Sequence, residues 1–483
     1  MRRLLLDSDG HNFFIVCMCD DTEDGIKAAI REQLITIPTE VTTYLISPGC
    51  GTYYYPTRVA ELMPATEEFP GGAYLHAALA KGLDPFGMFL KAIKQAGMES
   101  FISFRMNDVH NPKDKSQWNT PRFRVDHPEM TVDPEANKAE NPDWWSFALD
   151  YSRKEVRDYY LSILAELIEM YYFDGIMLDW MRWPRTMSGS IEEVREKRDC
   201  ITEFMCEARR LCQSSGKDIL LSARIPSSVQ GCKNLGMDIA EWVNGGLVDF
   251  LIPASFLNTD FHIPIDDFRR EMAPNHIPIY GSVEAHHASQ IQTPESLRAC
   301  AMCLFEDGAD GMLIFNFPDW DLQHVALPPY YWLKDLDTYE KTLTKPLLFS
   351  LEHEMFRVPD IELPYQLPAN IEPGSSTDLT INLPNGAFPY VHALALLDSG
   401  TDVALSINNQ PVKDLNNKFR QRRSLFPDEI IECRQIPNYD NSDSRFRIFR
   451  IDPNTLVPGN NTLKITNTSG QNVKIDRVNI GMW

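Results

Sequence analysis

The first two thirds of this 483-residue chain alternate between short apolar runs and longer stretches with helical spacing of apolar residues. Such alternation is typical of strand–helix units that build a parallel sheet. Eight units in about 340 residues match a (β/α)₈ barrel with insertions. An open doubly wound sheet is the alternative, but no glycine-rich phosphate turn follows the first strand, which favours the barrel. The strand candidates are residues 4–6 or 13–18, 41–46, 101–106, 175–180, 219–224, 248–255, 277–283 and 312–316.

The helix boundaries carry their own signals. Asp84 before Pro85 predicts a capped helix start, and Thr293 before Pro294 predicts another. Two S-x-x-E segments, Ser152–Glu155 and Ser190–Glu193, predict capping boxes at the starts of two further helices.

Near Pro346 the pattern changes to short alternating runs separated by turn residues, such as LTINLP, VALSINN and NTLKITN. This pattern predicts an antiparallel β-sandwich. We therefore expect a catalytic barrel over residues 1–345 and a jelly-roll-like accessory domain over 346–483. Shielding of the barrel is the favoured role of that domain, ahead of carbohydrate binding.

The balance of charge excludes some classes of partner. A formal net charge of −22 repels polyanions, so nucleic acid and anionic membrane surfaces are poor partners. No apolar run approaches the ~20 residues of a membrane span. The start, MRRLLLDSDGHNFF, is too short for a signal-peptide core, which favours a cytoplasmic location, with a removed secretion signal left open. Cys300 and Cys303, one helical turn apart, are interpreted as buried thiols rather than a metal or redox pair. The oligomeric state is not indicated.

Polar residues collect at the carboxyl ends of the predicted strands. In the fourth strand, alternation that turns Asp179 inward also turns Gly175 and Met177 inward, and leaves Ile176 and Leu178 facing the helices. Asp179 then lies at the barrel mouth, where barrel enzymes carry their chemistry. The same parity argument applies to other strands, where its inward polar members are Ser103, Arg105, Asn107, Ser222, Arg224, Tyr280, Ser282 and Glu284.

The segment FDGIMLDWMRWP, residues 173–184, resembles the FDGI-hLD-Y-hRYP signature (h, apolar) of the glycoside-hydrolase-like TIM barrels. GMDIAEWVNGGLVDFLIP, residues 236–253, resembles the segment of that family that leads into the sixth strand. The resemblance extends over roughly residues 1–340, with Trp180 and Trp183 in place of the commoner tyrosines. It implies a barrel with a hydrolytic site at Asp179, and it does not imply a particular substrate.

Cleavage of a glycosidic bond requires two carboxyl groups. We predict Asp179 as nucleophile and Glu284 as acid/base, with exchange of the two roles left open. The arginines could bind an anionic sugar, and the tryptophans could stack on sugar faces. No cofactor is predicted. The predicted substrate-binding residues are Asp9, His11, Asn12, Arg105, Asn107, His110, Trp180, Arg182, Trp183, Arg224, Ser255, His286 and Asn316.

Two other functions compete with glycoside hydrolysis. A metal-dependent hydrolase would use carboxylate and imidazole ligands, but the first strand lacks an H-x-H pair and no H-E-x-x-H motif occurs. A carbohydrate-binding protein without catalysis would use the same cleft. The ligand candidates for the metal alternative are Asp7, Asp9, His11, His110, His286 and His287.

Overall fold

Eight parallel strands close into a barrel in the computed structural model, which confirms the predicted fold class. The first strand pairs with both the second and the eighth, so the sheet has no open edge. The strands are β1 (Arg3–Ser8), β2 (Thr43–Ile46), β3 (Glu99–Arg105), β4 (Gly175–Asp179), β5 (Leu220–Pro226), β6 (Phe250–Ala254), β7 (Tyr280–Glu284) and β8 (Gly311–Phe315). The structure describes residues 3–66, 71–110, 117–140, 142–256, 263–284, 293–319, 328–343, 345–352, 366–385, 390, 392–399, 402–415 and 446–483.

The second candidate for the first strand is not a strand. Residues 13–18 fall largely in a π-helix, Asn12–Cys17, which packs Phe13 and Phe14 into the core. A short ribbon of Gly49–Cys50 and Thr52–Tyr53 follows β2.

Helices surround the barrel, and most of the predicted starts are confirmed. Asp84, Ser190 and Thr293 each accept a hydrogen bond from the first turn of their helix. The capping box at Ser152 is wrong, because Asp150 forms the turn there and the helix begins one residue later than that box requires, with Arg153 at its N-cap. The helices are Glu23–Leu34, Gly71–Ala80, Pro85–Gln95, Arg122–Asp126, Lys154–Met170, Ile191–Glu196, Asp199–Ser214, Val229–Asn234, Ile239–Asn244, Ile265–Met272, Pro294–Glu306 and Tyr339–Thr342. Across the described residues, no helix combines the length and apolar character that a membrane crossing requires.

The inward side chains of the strands form a separate apolar cluster that fills the lower part of the barrel. Phe101 and Phe250 contribute rings whose centroids lie 6.0 Å apart. Gly175 faces the same space, where an added Cβ would stand 2.3 Å from the Phe101 ring. The barrel is therefore closed below the mouth. The cluster comprises Leu5, Leu45, Phe101, Met177, Phe250, Ile252, Tyr280, Leu313 and Phe315.

The start of β4 is held by a side chain. Asp174 accepts a hydrogen bond from the backbone N–H of Ser100 at 2.9 Å and pairs with Lys94 at 2.6 Å. These bonds fix β4 against β3. Ile176 and Leu178 pack in the outer core, while Met177 lies in the inner cluster, so the predicted parity of this strand is confirmed.

The chain after the barrel forms antiparallel sheets, as predicted. A five-stranded sheet contains Leu347–Glu352, Arg477–Met482, Ala393–Asp398, Phe446–Ile451 and Lys413–Asp414, in that order. A four-stranded sheet contains Ser376–Leu383, Gly459–Asn467, Val403–Ile407 and Gln410–Pro411, and Ala369–Ile371 pairs with Val473–Ile475.

Hydrogen bonds join the sheets to the barrel part of the chain. Arg298 donates to the carbonyl of Pro346 at 3.0 Å, and the backbone N–H of Asn385 donates to Glu306 at 2.6 Å. The division into domains 1–345 and 346–483 stays a prediction.

Candidate active site

The two predicted carboxyl groups are joined by one guanidinium. Asp179 ends β4 and Glu284 ends β7, and Arg224 reaches up from β5 between them. Arg224 Nη1 lies 3.2 and 3.3 Å from the two carboxylate oxygens of Asp179, and its Nη2 lies 2.5 Å from Glu284 Oε1. All three side chains are buried, and Arg224 also lies over the ring of Phe315 at 3.8 Å. The structure therefore brings both carboxyl groups to one point at the barrel mouth.

Asp179 is surrounded by donors. Besides Arg224, its Oδ1 accepts from the backbone N–H groups of Met181 at 3.0 Å and Arg182 at 3.2 Å. These donors hold the carboxyl group of Asp179 in a fixed orientation at the mouth, as a nucleophile or an electrostatic stabiliser requires.

Glu284 has the opposite surroundings. Its Oε2 is buried and finds no hydrogen-bond partner among the described residues. Burial raises the pKa of Glu284 from 4.5 to about 7, with Asp179 raising it further and the guanidinium groups of Arg224 and Arg182 opposing the shift. A carboxyl group with this pKa can give and take a proton near neutrality.

A third carboxyl group lies deeper in the same barrel. Asp7 points inward from β1 and is fully buried. Burial raises the pKa of Asp7 well above its ordinary value, and the charges of Asp9 and Asp179 add to the shift. The Ser103 hydroxyl opposes it, but neither oxygen of Asp7 reaches full hydrogen-bond geometry with a described residue. Asp7 is therefore held neutral beneath the mouth.

A second network of charges lies beside the first. Arg105 at the end of β3 contacts Asp9 and lies 2.8 Å from Asp108, and Asp108 in turn hydrogen-bonds His110 Nδ1. Asn316 donates to Asp9 at 2.7 Å. Burial alone would raise the pKa of Asp9, but Arg105 and Arg182 outweigh it and hold that pKa well below its usual range. The pKa of Asp108 is likewise low, because His110 and the nearby arginines outweigh its burial.

Arg182 lies between the two networks and, among the described residues, has fewer carboxylate partners than Arg105 and Arg224. Its Nη2 lies 3.2 Å from His110 Nε2 and 3.9 Å from Asp9 Oδ2, and its buried Nε finds no hydrogen-bond partner among the described residues. Since Arg182 can only donate, His110 Nε2 accepts, and the Nδ1 proton of His110 faces Asp108. The His110 ring is thus oriented in the mouth with Nε2 towards Arg182 and Nδ1 towards Asp108.

Aromatic rings form a wall at one side of the mouth, which we call the aromatic shelf: Trp144, Trp145, Trp183 and Phe256. The ring of Trp183 is central, with centroids 5.6 Å from Trp144, 5.5 Å from Trp145 and 5.9 Å from Phe256. Trp144 is 47% exposed, while the other three rings are buried. Trp183 also meets the ring of His110 edge-on at 5.4 Å, so the shelf adjoins the charged networks.

Several predicted binding residues do other work. Trp180 faces outward and packs on Tyr151 and Phe204, because its neighbour Asp179 takes the inward parity. The side-chain amide of Asn107 hydrogen-bonds two loops: it donates to the carbonyl of Arg185 and accepts from the N–H of Leu149. Trp180 and Asn107 thus have partners within the protein, and their assignment to the binding set stays a prediction.

Two residues near β1 also have partners within the protein. Asn12 donates to Gln33 at 2.8 Å, on the side of the first helix, and its assignment to the binding set stays a prediction. His11 lies 2.8 Å from Cys50 Sγ, and burial lowers the pKa of His11 to about 4, which keeps it neutral. Ser255 is buried after β6, and His286 lies outside the described residues.

Three further residues contribute to the mouth: Phe315 and Phe256, which the sequence analysis missed, and Asp108, which it held only as a reserve candidate for the catalytic pair. Phe315 supports Arg224 and could have been found from the inward parity of β8. Asp108, two positions before His110, orients that imidazole. Phe256 follows β6 directly, and no local signal marks it as part of the shelf.

Few of the predicted metal-ligand candidates are arranged together as ligands among the described residues. Within the described part of the chain, no group of three His, Cys, Asp or Glu side chains is arranged to hold a metal ion. Asp9, a ligand candidate, is held by Arg105 and Asn316. His286 and His287 lie outside the described residues.

No protein-family model matches the chain. Part of it is similar to 1,4-alpha-glucan branching enzymes. The GlgB 2 enzyme of Streptomyces coelicolor is 28% identical over 127 residues, which are 25% of this chain and 16% of that enzyme. GlgB of Mycobacterium ulcerans is 23% identical over 212 residues, 40% of this chain and 27% of that enzyme. The chain thus spans less than a third of the length of these relatives.

Two solved structures of alpha-galactosidases overlap with parts of this chain. The alpha-galactosidase TtGalA of Thermus thermophilus overlaps 72% of this chain and 62% of its own, with a TM-score of 0.38 and 11% identity. The GH36 alpha-galactosidase AgaA of Geobacillus stearothermophilus, in complex with stachyose, overlaps 82% of this chain and 51% of its own, with a TM-score of 0.41 and 10% identity. No residue role is transferred from them.

Proposed function

We propose that this protein is a glycoside hydrolase that cleaves O-glycosidic bonds of an oligo- or polysaccharide with Asp179 and Glu284. The observation that carries the proposal is the Arg224 bridge, which holds the buried carboxyl groups of Asp179 and Glu284 side by side at one barrel mouth, with the pKa of Glu284 raised by burial to about 7. A carboxyl group with a pKa near neutrality, next to a second carboxyl group, fits the role of general acid in such a pair. The partial similarity to enzymes named for 1,4-alpha-glucan is in keeping with it.

The proposed steps of hydrolysis follow from the different surroundings of Glu284 and Asp179. Neutral Glu284 donates its proton to the glycosidic oxygen as the C–O bond breaks, and the aglycone leaves as an alcohol. Ionised Asp179 attacks or stabilises the anomeric carbon. Glu284, now ionised and held by Arg224, takes a proton from water as the water oxygen attacks the anomeric carbon, and where Asp179 has bonded to that carbon this bond breaks and frees its carboxylate. The sugar then leaves with a new hydroxyl group, and both carboxyl groups return to their starting states.

Unpartnered polar atoms at the mouth support a ligand rich in hydroxyl groups. Buried polar atoms are nearly always hydrogen-bonded in native proteins. Yet Glu284 Oε2, Arg182 Nε, Trp183 Nε1 and Asn316 Oδ1 are all buried without a hydrogen-bond partner among the described residues. Arg182 Nε and Trp183 Nε1 donate hydrogen bonds, whereas Asn316 Oδ1 and Glu284 Oε2 accept them, and a protonated Glu284 can also donate. Hydroxyl groups both donate and accept, so they can satisfy all four atoms.

Among the three arginines of the mouth, Arg182 is the best candidate to bind the predicted anionic sugar. Arg105 and Arg224 each contact two carboxyl groups, whereas Arg182 lies no closer than 3.9 Å to a carboxylate oxygen among its described ion pairs. A carboxylate or sulfate on the substrate would supply the missing partner. Uronate-containing and neutral oligosaccharides of equal length would separate the two cases, with loss of the preference in Arg182→Met as the expected result. The cytoplasmic location stays a prediction.

Two substitutions test the proposal. Asp179→Asn and Glu284→Gln should each lower kcat on a hydrolysed glycoside by at least about 100-fold, the scale of a lost acid–base group. Glu295→Gln is the matched control, because Glu295 is equally buried and pairs with Arg298 instead of with an arginine of the mouth. Full turnover in both site variants would refute the assignment, and proton NMR of the first-formed anomer would establish retention or inversion.

The same preparation distinguishes the two alternatives. Activity that survives chelation and dialysis excludes the metal-dependent hydrolase, while activity restored only by added metal supports it. Oligosaccharide binding without hydrolysis of any glycan in the panel would instead favour the non-catalytic carbohydrate-binding protein.

A further inference from the structure

Three features of the aromatic shelf are not accounted for by packing. Trp144 leaves 47% of its surface exposed beside rings that are buried. Trp183, 92% buried, keeps its indole N–H without a hydrogen-bond partner among the described residues. A buried indole N–H normally finds an acceptor, so this one points to an acceptor that a ligand would bring.

The backbone of Trp183 is a further sign. Its φ of 57° is in the left-handed region, which bulky residues rarely adopt. Backbone strain of this kind persists only where the surroundings enforce it, and it is concentrated at functional sites. Here the strained residue places its ring at the centre of the shelf, within 6 Å of three other rings by centroid distance.

The shelf is continuous with the proposed catalytic centre. Trp183 follows Arg182, whose backbone N–H binds Asp179, and its ring meets His110 edge-on. From there the rings lead to the exposed face of Trp144, so a chain bound at the carboxyl groups can extend along them.

We infer that Trp144 and Trp183 form a second sugar subsite, which binds a unit of the substrate away from the bond that is cleaved. This inference rests on the proposed glycoside hydrolase function and narrows it to substrates of several sugar units. The C–H face of a pyranose stacks on the exposed indole of Trp144, and a ring or hydroxyl oxygen accepts from Trp183 Nε1. Binding energy from this remote unit would serve to orient the scissile bond.

Chain-length dependence tests the subsite. The probes are mono-, di-, tri- and tetrasaccharides of the malto, cello, chito and galacto (raffinose, stachyose) series, titrated calorimetrically into Glu284→Gln protein. Affinity should rise with the second or third unit of at least one series. Trp144→Ala should reduce that gain about tenfold, the scale of one aromatic stacking contact, and Trp144→Phe should retain most of it.

Tyr172→Ala is the matched control, because Tyr172 is 78% exposed and precedes β4 at the opposite end of the barrel. In active protein, the ratio of kcat/KM for a trisaccharide to that for the matching aryl monoglycoside should fall about tenfold in Trp144→Ala and stay constant in Tyr172→Ala.

These experiments distinguish a failure of the sugar subsite from a failure of the proposed hydrolase function. Chain-length-dependent binding that Trp144→Ala abolishes, without hydrolysis by the wild type, would retain the subsite and reject the hydrolase. No oligosaccharide binding better than its monosaccharide, or equal losses for all lengths in Trp144→Ala, would overturn the subsite.

Discussion

Replacement of Glu284 by Gln should stabilise the protein at alkaline pH while it removes activity. The unfolded chain releases the Glu284 proton near pH 4.5, and the folded protein releases it at about pH 7. Between these values the folded state holds a proton that the unfolded state has lost, so this group lowers the stability of the wild type as the pH rises. One pKa unit corresponds to about 1.4 kcal/mol, so the full difference is about 3 kcal/mol above pH 7.

Gln cannot ionise and keeps an amide oxygen that can accept from Arg224 Nη2, so the variant lacks this pH-dependent cost. Urea denaturation of both proteins at pH 5 and pH 8 measures the effect. The stability of Glu284→Gln relative to wild type should be about 2 to 3 kcal/mol more favourable at pH 8 than at pH 5.

Glu135→Gln, at an exposed glutamate, serves as the control and should show no such pH dependence. A difference between wild type and Glu284→Gln that stays constant from pH 5 to pH 8 would refute the reasoning. It would mean that Glu284 is ionised in the folded protein throughout, and the acid role would then pass to another group.

Four further outcomes are expected. The kcat/KM of the wild type should fall above about pH 7 with unit slope in a pH–rate profile, since Glu284 must be protonated to act as acid. Asp7→Asn should raise Tm more at pH 8 than at pH 5, because burial raises the pKa of Asp7 and its ionisation destabilises the fold. Asn316→Ala should be less stable than Asn316→Gly by about 1 kcal/mol in urea, because Asn316 has a φ of 55°. Gly175→Ala should cost about 1–3 kcal/mol in the same assay by crowding Phe101, and Phe101→Leu should relieve the loss.

The motif on the fourth strand shows which side-chain directions could be predicted from the sequence. Period-two alternation correctly turned Met177 and Asp179 inward and Ile176 and Leu178 outward, because a barrel strand offers only two faces. The same rule, applied one residue further, would have placed Trp180 in the outer core, where it packs on Tyr151. Beyond the strand the rule no longer applies, since loop direction depends on backbone angles such as the positive φ of Trp183.

Contacts between segments that are distant in the chain could not be predicted from the sequence. Arg224 could be placed at the mouth by parity, but its position between Asp179 and Glu284 depends on the order of strands around the barrel and on the length of its side chain. Asn107 has the same parity as Arg105, yet it bonds to loops around Leu149 and Arg185, more than 40 residues away in the chain. Polar residues at strand ends thus predict a polar mouth, and only tertiary contacts separate binding from structural roles.

The charges of the mouth explain why Glu284 and Asp7 are the carboxyl groups with raised pKa values. Three arginines face five carboxyl groups there, and a buried net charge is costly unless each ion is paired. Asp9 and Asp108 have lowered pKa values and share the Arg105 network, and Asp179 accepts from Arg224 and two backbone N–H groups. Three guanidinium groups cannot balance five carboxylates, and burial raises the pKa of the remaining two acids, Asp7 and Glu284. Of these two, Asp7 lies beneath the mouth and Glu284 stands at the strand end, so under the proposed function Glu284 is the one placed to give its proton to a bound glycoside.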